Sequence, residues 1–331
     1  MQLSNGDSPD FDLIIVANGH YRFPRYPNTP GLSKWIAAGK ALHSAWYRHA
    51  LNLGEIVVVV GDGPSGHDIA AEMRAVARTV IHSVNGGVHE DIGNLKMRGR
   101  IVEFKDEGQV VFDDGTTESH VDYCLLATGY ELSFPFLPTD ILQPSIPPSC
   151  PPLPPALYNS GYHIFPLAKH IFPLWSDYPP AALAFMGLLV KVAPFPLFEA
   201  QGRAIVKAFE HPVLLDTTQE ATEIIIRYEE LASVYGDDTL SISKNWHKLR
   251  GQAQFNYRNR LFAFSEGDTK MTVPDWEPEM YAKKDVLRRV WRELERTGKT
   301  DEWVKGVGEG GSMEWVDMTR RLLKTFEEGE E

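Results

Sequence analysis

The stretch Val57-Val58-Val59-Val60-Gly61-Asp62-Gly63-Pro64-Ser65-Gly66 constrains this chain more than any other. Four consecutive β-branched residues read as a strand covered on both faces, because a half-exposed strand would alternate apolar with polar. Helical spacing follows in Ile69, Ala70, Met73, Val76 and Ala77, and Thr79 to Val84 reads as the next strand. Strand, glycine loop, helix and strand thus close within about 30 residues, the size of one βαβ unit. Each glycine in G-x-G-x-x-G has a task there. Gly61 makes the tight turn, Gly63 lets the backbone approach a pyrophosphate, and Gly66 lets the helix pack close to the sheet. With Pro64 and Ser65 they open a helix whose N–H groups and dipole face phosphate.

The base to which the loop is matched follows from the position about 20 residues on, where an NAD or FAD site usually carries a carboxylate for a ribose hydroxyl. Here that position falls in Ile81-His82-Ser83-Val84, which has none. A 2′-phosphate is repelled by carboxylate and accepts hydroxyl and basic groups, so His82 and Ser83 point to NADP(H) rather than NAD(H).

Elsewhere, Phe11 to Ala17 reads as a buried strand ending at Asn18-Gly19, and Pro24, Pro27 and Pro30 enforce an extended connector. Alternation from Ile101 to Phe112 gives a small meander, and Val121 to Thr128 another buried strand ending at Gly129. Residues 133–155 form a proline-rich linker. Helical periods then recur at residues 201–209, 218–232, 284–296 and 313–326, as core-facing helices with charged outer faces. HIFPL occurs at 163–167 and again at 170–174, too few copies for a repeat fold.

A net charge of −12 argues against nucleic acid or an anionic membrane as partner. The acidic end, Glu327 to Glu331, reads as a solvated tail. Two cysteines, Cys124 and Cys150, form no C-x-x-C pair, which fits a reducing compartment and counts against dithiol reductase chemistry. His163 and His170 lack ligand spacing, so no metal is expected. No signal peptide and no membrane span is legible, and the expectation is a soluble, cytoplasmic protein.

Several further segments join into one pattern. Gly39, His43 and Tyr47 match the F-x-G-x-x-x-H-x-x-x-[YF] motif of flavin-containing monooxygenases, with Ala37 replacing the first aromatic. Ala17-Asn18-Gly19-His20, the connector ending Pro30-Gly31-Leu32, Ala127-Thr128-Gly129-Tyr130, Ala184 to Leu188 and Phe195 to Gln201 follow in that family's order. The chain therefore resembles the flavin-containing monooxygenases from residue 11 to about 210. The resemblance implies an α/β protein: a Rossmann-like NADP(H) domain over 51–130, inserted in an incomplete FAD-binding domain (1–50 with the interdomain linker, and a mostly helical 131–331). It implies NADPH reducing FAD, and the reduced flavin reacting with O₂ to a C4a-hydroperoxyflavin that transfers one oxygen atom to an amine or thioether. No acid–base residue is demanded, and none is assigned.

By the same resemblance Asn18, Gly19, Thr128 and Gly129 lie on the flavin side, although turn formation alone also accounts for them. His43 and Ser44 are cofactor-side or interdomain positions, or a hydrogen-bonded pair without such a role. Glu199 and Gln201 face the flavin region or merely begin a helix. The family's FAD fingerprint belongs before Asn18, where 17 residues hold no G-x-G-x-x-G. The chain reads as a truncated member with an exposed sheet edge, and the alternative function is a non-catalytic NADP(H)-binding fragment. A flavin disulfide reductase lacks its cysteines here, and a Baeyer–Villiger enzyme is disfavoured by Tyr47.

Overall fold

The computed structural model describes residues 4–174, 179–267 and 271–329. They form two compact units, one of residues 19–138 and one of residues 1–18 with 139–331. Glu330 and Glu331, at the end of the expected acidic tail, lie outside the described residues.

The first unit is built on the valine strand. Ile56–Val60 lies inside a six-stranded sheet, ordered Ala41–His43, Tyr123–Leu126, Ile56–Val60, Thr79–Ser83, Leu95–Arg98, Glu90–Ile92. The first five strands are parallel and the last is antiparallel to its neighbour. Val57 and Val59 face the helix Pro64–Met73 and pack with Ile69, Ala70 and Met73. Val58 points the other way, into a cluster with Trp35, Ile101, Phe104, Val110 and Phe112. That second cover is the meander Ile101–Phe104, Val110–Phe112, Thr117–Glu118, read as such from its alternation. All three valines are fully buried, each contributing about 1.5–3 kcal/mol of apolar transfer.

The compact unit extends beyond 51–130, and the reason is strand pairing between distant segments. Ala41–His43, expected to lie in a linker, adds to the sheet beside Tyr123–Leu126 with Leu126 opposite His43. Phe23–Pro24 and Tyr130–Glu131 pair antiparallel at the end of the same unit. The edge strand and the paired connectors make 19–50 and 131–138 part of this first unit.

The second unit is largely helical. Its parallel pair, Ile14–Val16 with Leu183–Phe185, is two-stranded, and Ile15 within it and Phe11 and Leu13 just before it are exposed apolar residues. Helix Pro194–Glu210 sets Ala200, Ala204 and Ala208 along one buried stripe, small residues that admit close approach of helix Gln252–Glu266. Helices Thr217–Tyr235 and Thr239–Trp246 begin at Asp216 and Asp238, whose carboxylates accept from two N–H groups each. Both helices pack around Phe165, Tyr228 and Trp246.

Buried histidines gather beside that cluster. Ile164 N–H donates to His247 Nε2 at 3.2 Å, which places the His247 proton on Nδ1, 3.1 Å from His170 Nδ1. His163 Nδ1 lies 2.7 Å from Ser160 Oγ. Burial lowers the His163 pKa to about 3 and takes His170 well below its ordinary value, with nearby Arg227, Arg260 and His163 adding to the latter shift. The unfolded chain protonates these rings near pH 6.5 while the folded chain does not. Their contribution to stability is therefore fully present above about pH 7 and lost as pH falls below about 6.5, by up to ~2.7 kcal/mol per pH unit for two rings. Urea unfolding at pH 7.5 and 5.5, followed by tryptophan fluorescence, should show the midpoint falling at the lower pH.

Candidate functional site

At the end of the valine strand the chain turns through Gly61 at φ 128°, a conformation that favours glycine. A Cβ on Gly61 would lie 2.2 Å from the Ala127 carbonyl oxygen, and one on Gly66 would lie 2.0 Å from the Gly61 carbonyl oxygen. Both positions are closed by backbone. Gly63 is different: a Cβ there meets nothing within 4 Å, so one side of the loop is open. Gly63 is the helix N-cap and no side chain caps it, which leaves the first-turn N–H groups to a ligand or solvent; Pro64 follows in the first turn. Ser65 is exposed beside it. The residues present fit a dinucleotide pyrophosphate at this loop.

His82 and Ser83 support the loop from within. His82 Nε2 lies 2.8 Å from the Gly61 carbonyl oxygen and Ser83 Oγ donates to the Gly99 carbonyl at 2.8 Å. Each is 2% exposed. Burial lowers the His82 pKa, with the Gly61 backbone opposing, so the ring is neutral at pH 7. The basic group on the adjacent strand, Arg98, is already taken by Glu118 at 2.9 Å and Asp91 at 2.6 Å. His67, in the first turn of the helix, pairs with Asp62 of the loop at 3.0 Å.

The motif of Gly39, His43, Ser44 and Tyr47 is brought against this unit's sheet. Gly39, at φ 67°, follows the short helix Leu32–Ala37 and its N–H donates to Ile36. Tyr47 donates to Glu72 of the helix Pro64–Met73 at 2.8 Å, and burial together with that carboxylate raises its pKa. His43 is fully buried and its Nδ1 accepts from Ala45 N–H at 3.0 Å, so the proton resides on Nε2. Burial lowers its pKa, the Gly129 backbone acting in the opposite direction. His43 stacks edge-on with Tyr26 and Tyr130, at 5.5 and 5.3 Å between ring centres. His43 Nε2 and Ser44 Oγ are buried with no hydrogen-bond partner among the described residues.

Thr128 and Gly129 join this group, because Thr128 Oγ1 donates to the Arg25 carbonyl at 2.5 Å and Arg25 N–H donates to Gly129 at 2.9 Å. Asn18 and Gly19 are exposed at the point where the chain passes from one unit to the other. In the helical unit Glu199 is exposed and pairs with Arg203 at 3.0 Å. Gln201 is fully buried: its Oε1 accepts from Gly187 N–H at 3.0 Å and its Nε2 donates to Tyr257, whose hydroxyl donates to the Lys169 carbonyl. Tyr257 and Glu72 carry no sequence pattern that would have singled them out, since their partners lie 56 and 25 residues away. Among the described residues no cluster of three or more His, Cys, Asp or Glu stands in position to hold a metal ion. Nor is any helix among them long and apolar enough to cross a membrane.

A βαβ unit with this loop, joined to a chain carrying these further motifs, defines a nucleotide-binding flavoprotein fold. A family model described as flavin-binding monooxygenase-like matches residues 4–90 and 91–248, and the chain belongs to that family. It is 30% identical over 302 residues to flavin-containing monooxygenase FMO GS-OX-like 4 of Arabidopsis thaliana, covering 88% of this chain and 59% of that protein. FMO GS-OX-like 7 of the same plant is 28% identical over 312 residues, with 90% and 60% covered. The chain thus spans about three fifths of the length of these relatives. Among solved structures, S-allyl-L-cysteine S-oxygenase from Allium sativum superposes with a TM-score of 0.69 at 23% identity, covering 99% of this chain and 67% of that one. Tmm from Pelagibacter sp. strain HTCC7211 gives 0.61 at 20% identity, with 84% and 57% covered. Both likenesses show the fold, an α/β Rossmann-like architecture.

Two glycines separate folding from binding. Gly63→Ala places its Cβ in open space at φ −84°, so stability should change by less than about 1 kcal/mol while NADPH affinity falls about tenfold or more. Gly66→Ala forces a backbone shift and should cost about 1–3 kcal/mol of stability as well. Thermal unfolding alongside fluorescence titration with NADPH distinguishes the two.

Proposed function

We propose that this chain serves an NADPH- and FAD-dependent monooxygenase that uses O₂ to place one oxygen atom on a soft nucleophile, an amine nitrogen or a thioether sulfur. The open backbone at Gly63, within a chain of this family, is the observation that carries the reading. The loop binds the pyrophosphate through backbone N–H groups at the start of Pro64–Met73, while His82 holds the Gly61 carbonyl at 2.8 Å, within the support of the loop. The preference for NADP(H) rests on Ser83-Val84-Asn85, the strand end without a carboxylate, rather than on the buried side chains of His82 and Ser83. The partnerless His43 Nε2–H and Ser44 Oγ offer one donor and one donor-acceptor to a bound cofactor near Thr128 and Gly129. FAD, when bound, supplies the reaction with O₂. Sulfur is the favoured target on the analogy of the Allium sativum S-oxygenase, which by its name oxygenates S-allyl-L-cysteine at sulfur.

A second reading, a non-catalytic NADP(H)-binding fragment, is favoured by one observation: among the described residues only Gly61–Gly66 joins a strand to a helix through G-x-G-x-x-G, because the other match, Gly306 to Gly311, follows the helix Thr300–Val304. Asn18, Gly19, Thr128 and Gly129 offer FAD turns but no second pyrophosphate loop. Purified chain supplemented with FAD decides between them. The monooxygenase reading expects flavin absorbance retained after gel filtration and NADPH-driven O₂ uptake that yields sulfoxide from a thioether. NADPH binding with neither retained flavin nor O₂ uptake would establish the fragment instead. Under either reading NADPH should bind about tenfold or more tightly than NADH, and equal affinities would overturn the assignment to NADP(H).

A further inference from the structure

The helical unit holds a cavity of about 510 Å³ between helices Thr217–Tyr235 and Gln252–Glu266 and the hairpin of Leu167–Ala168 with Phe172–Pro173. The hairpin turns through Lys169 and His170, both left-handed at φ 52° and 56°, a conformation unfavourable for side chains of this size. That turn sets both residues in the cavity wall. Its carbonyl is gripped by Tyr257 O–H at 2.7 Å, the end of the buried chain that runs through Gln201 to Gly187.

The wall carries three cations, Lys169, Arg227 and Arg260, and three carboxylates, Glu220, Glu223 and Glu230. Lys169 Nζ and Glu220 Oε1 lie 2.5 Å apart and satisfy each other. Arg227 donates only to backbone carbonyls, those of Trp246 and Lys248. Arg260 makes no ion pair among the described residues, and its charge acts on Arg227 and His170 within the same wall. Among the described residues Arg260 thus has no ion-pair partner, and Arg227 is held by backbone carbonyls with the Glu230 carboxylate acting on it only through space, in a chain of net charge −12. Opposed to them, Glu220 Oε2 is buried with no hydrogen-bond partner, and so is the indole N–H of Trp246. Both residues line the cavity, at 3% and 1% exposure. An acceptor and a donor left unpaired in one wall are unfavourable unless something else meets them. Leu167, Ile224 and Leu261 complete the wall with apolar surface.

We propose that this cavity binds a small zwitterion, an α-amino acid with an apolar side chain. The carboxylate is received by Arg260 and Arg227, the ammonium by Glu223 and Glu220, and the side chain by the apolar wall. A ligand of one sign meets half of this wall as repulsion, whereas a zwitterion pairs with both halves. The volume falls within the range of small-molecule pockets. Nothing in the proposal draws on oxygen transfer or on NADPH.

Calorimetric titration of the full chain tests it with three probes that contain no sulfur: L-norleucine, hexanoate and pentylamine. L-norleucine should bind saturably, and the two singly charged probes at least about tenfold more weakly. Arg260→Gln removes an exposed guanidinium without a partner and should weaken L-norleucine about tenfold with unchanged circular dichroism. Glu223→Gln provides the same test from the ammonium side if the first variant folds poorly. Arg203→Gln, on the helix Pro194–Glu210 and outside the cavity, should bind as the parent does. No heat of binding up to about 10 mM, equal binding of all three probes, or parental affinity in both cavity variants would each overturn the proposal.

Discussion

Burial of one strand on both faces governs the dinucleotide unit. Val57 and Val59 are sealed by the helix that follows them, and Val58 by the meander that comes much later in the chain. Because both covers must be present, the strand end cannot slide, and Gly61 leaves the sheet at one fixed point. The loop's openness at Gly63 and its closure at Gly61 and Gly66 follow from that point, as does the placement of the helix N-terminus. The same double cover buries Cys124, on the neighbouring strand, and burial raises its thiol pKa.

That cover also sets how His82 and Ser83 sit in the unit. In a strand with one solvated face, one of two consecutive residues would face outward. Here both faces are occupied, so neither does, and their polar atoms turn to the carbonyls of Gly61 and Gly99. Residue type and spacing single them out; in the structure His82 reaches the loop at Gly61 and Ser83 reaches Gly99. His82 is covered by the helix Pro64–Met73, against His67, and Ser83 lies on the opposite face, the one the meander covers at Ile81; no local pattern reveals both covers. The family motif behaves similarly. Gly39, His43 and Tyr47 are recognisable by spacing, but the partner of Tyr47 is Glu72 on another element.

In the helical unit, legibility tracks how far polar groups stay outside. Residues 201–209, 218–232 and 284–296 show their apolar stripes and are helical in the structure. Gln252–Glu266 shows almost none, because it buries Gln254 and Arg258 alongside Phe255, Leu261 and Phe262. Gln254 accepts from Ala193 N–H at 2.7 Å, and Arg258 pairs with Glu277. Paired polar groups can be buried at little cost, and once buried they erase the periodicity by which a helix is recognised. Gln201 is the same case, a polar residue at the fully buried centre of a network rather than at a solvated helix start.

The sequence by itself determined the βαβ unit, its loop, the meander, the final buried strand and the kinship carried by the ordered motifs. These are features of short range, set by side-chain period, turn chemistry and spacing. Only the tertiary structure decided that residues 19–50 belong to the dinucleotide unit, because edge-strand pairing of Ala41–His43 is a long-range hydrogen-bond ladder. It alone made His82 a neutral brace, gathered His163, His170 and His247 around one core, and set Arg227 and Arg260 against one cavity. Burial and electrostatic environment are properties of packed neighbours, and those neighbours lie tens of residues apart in the chain.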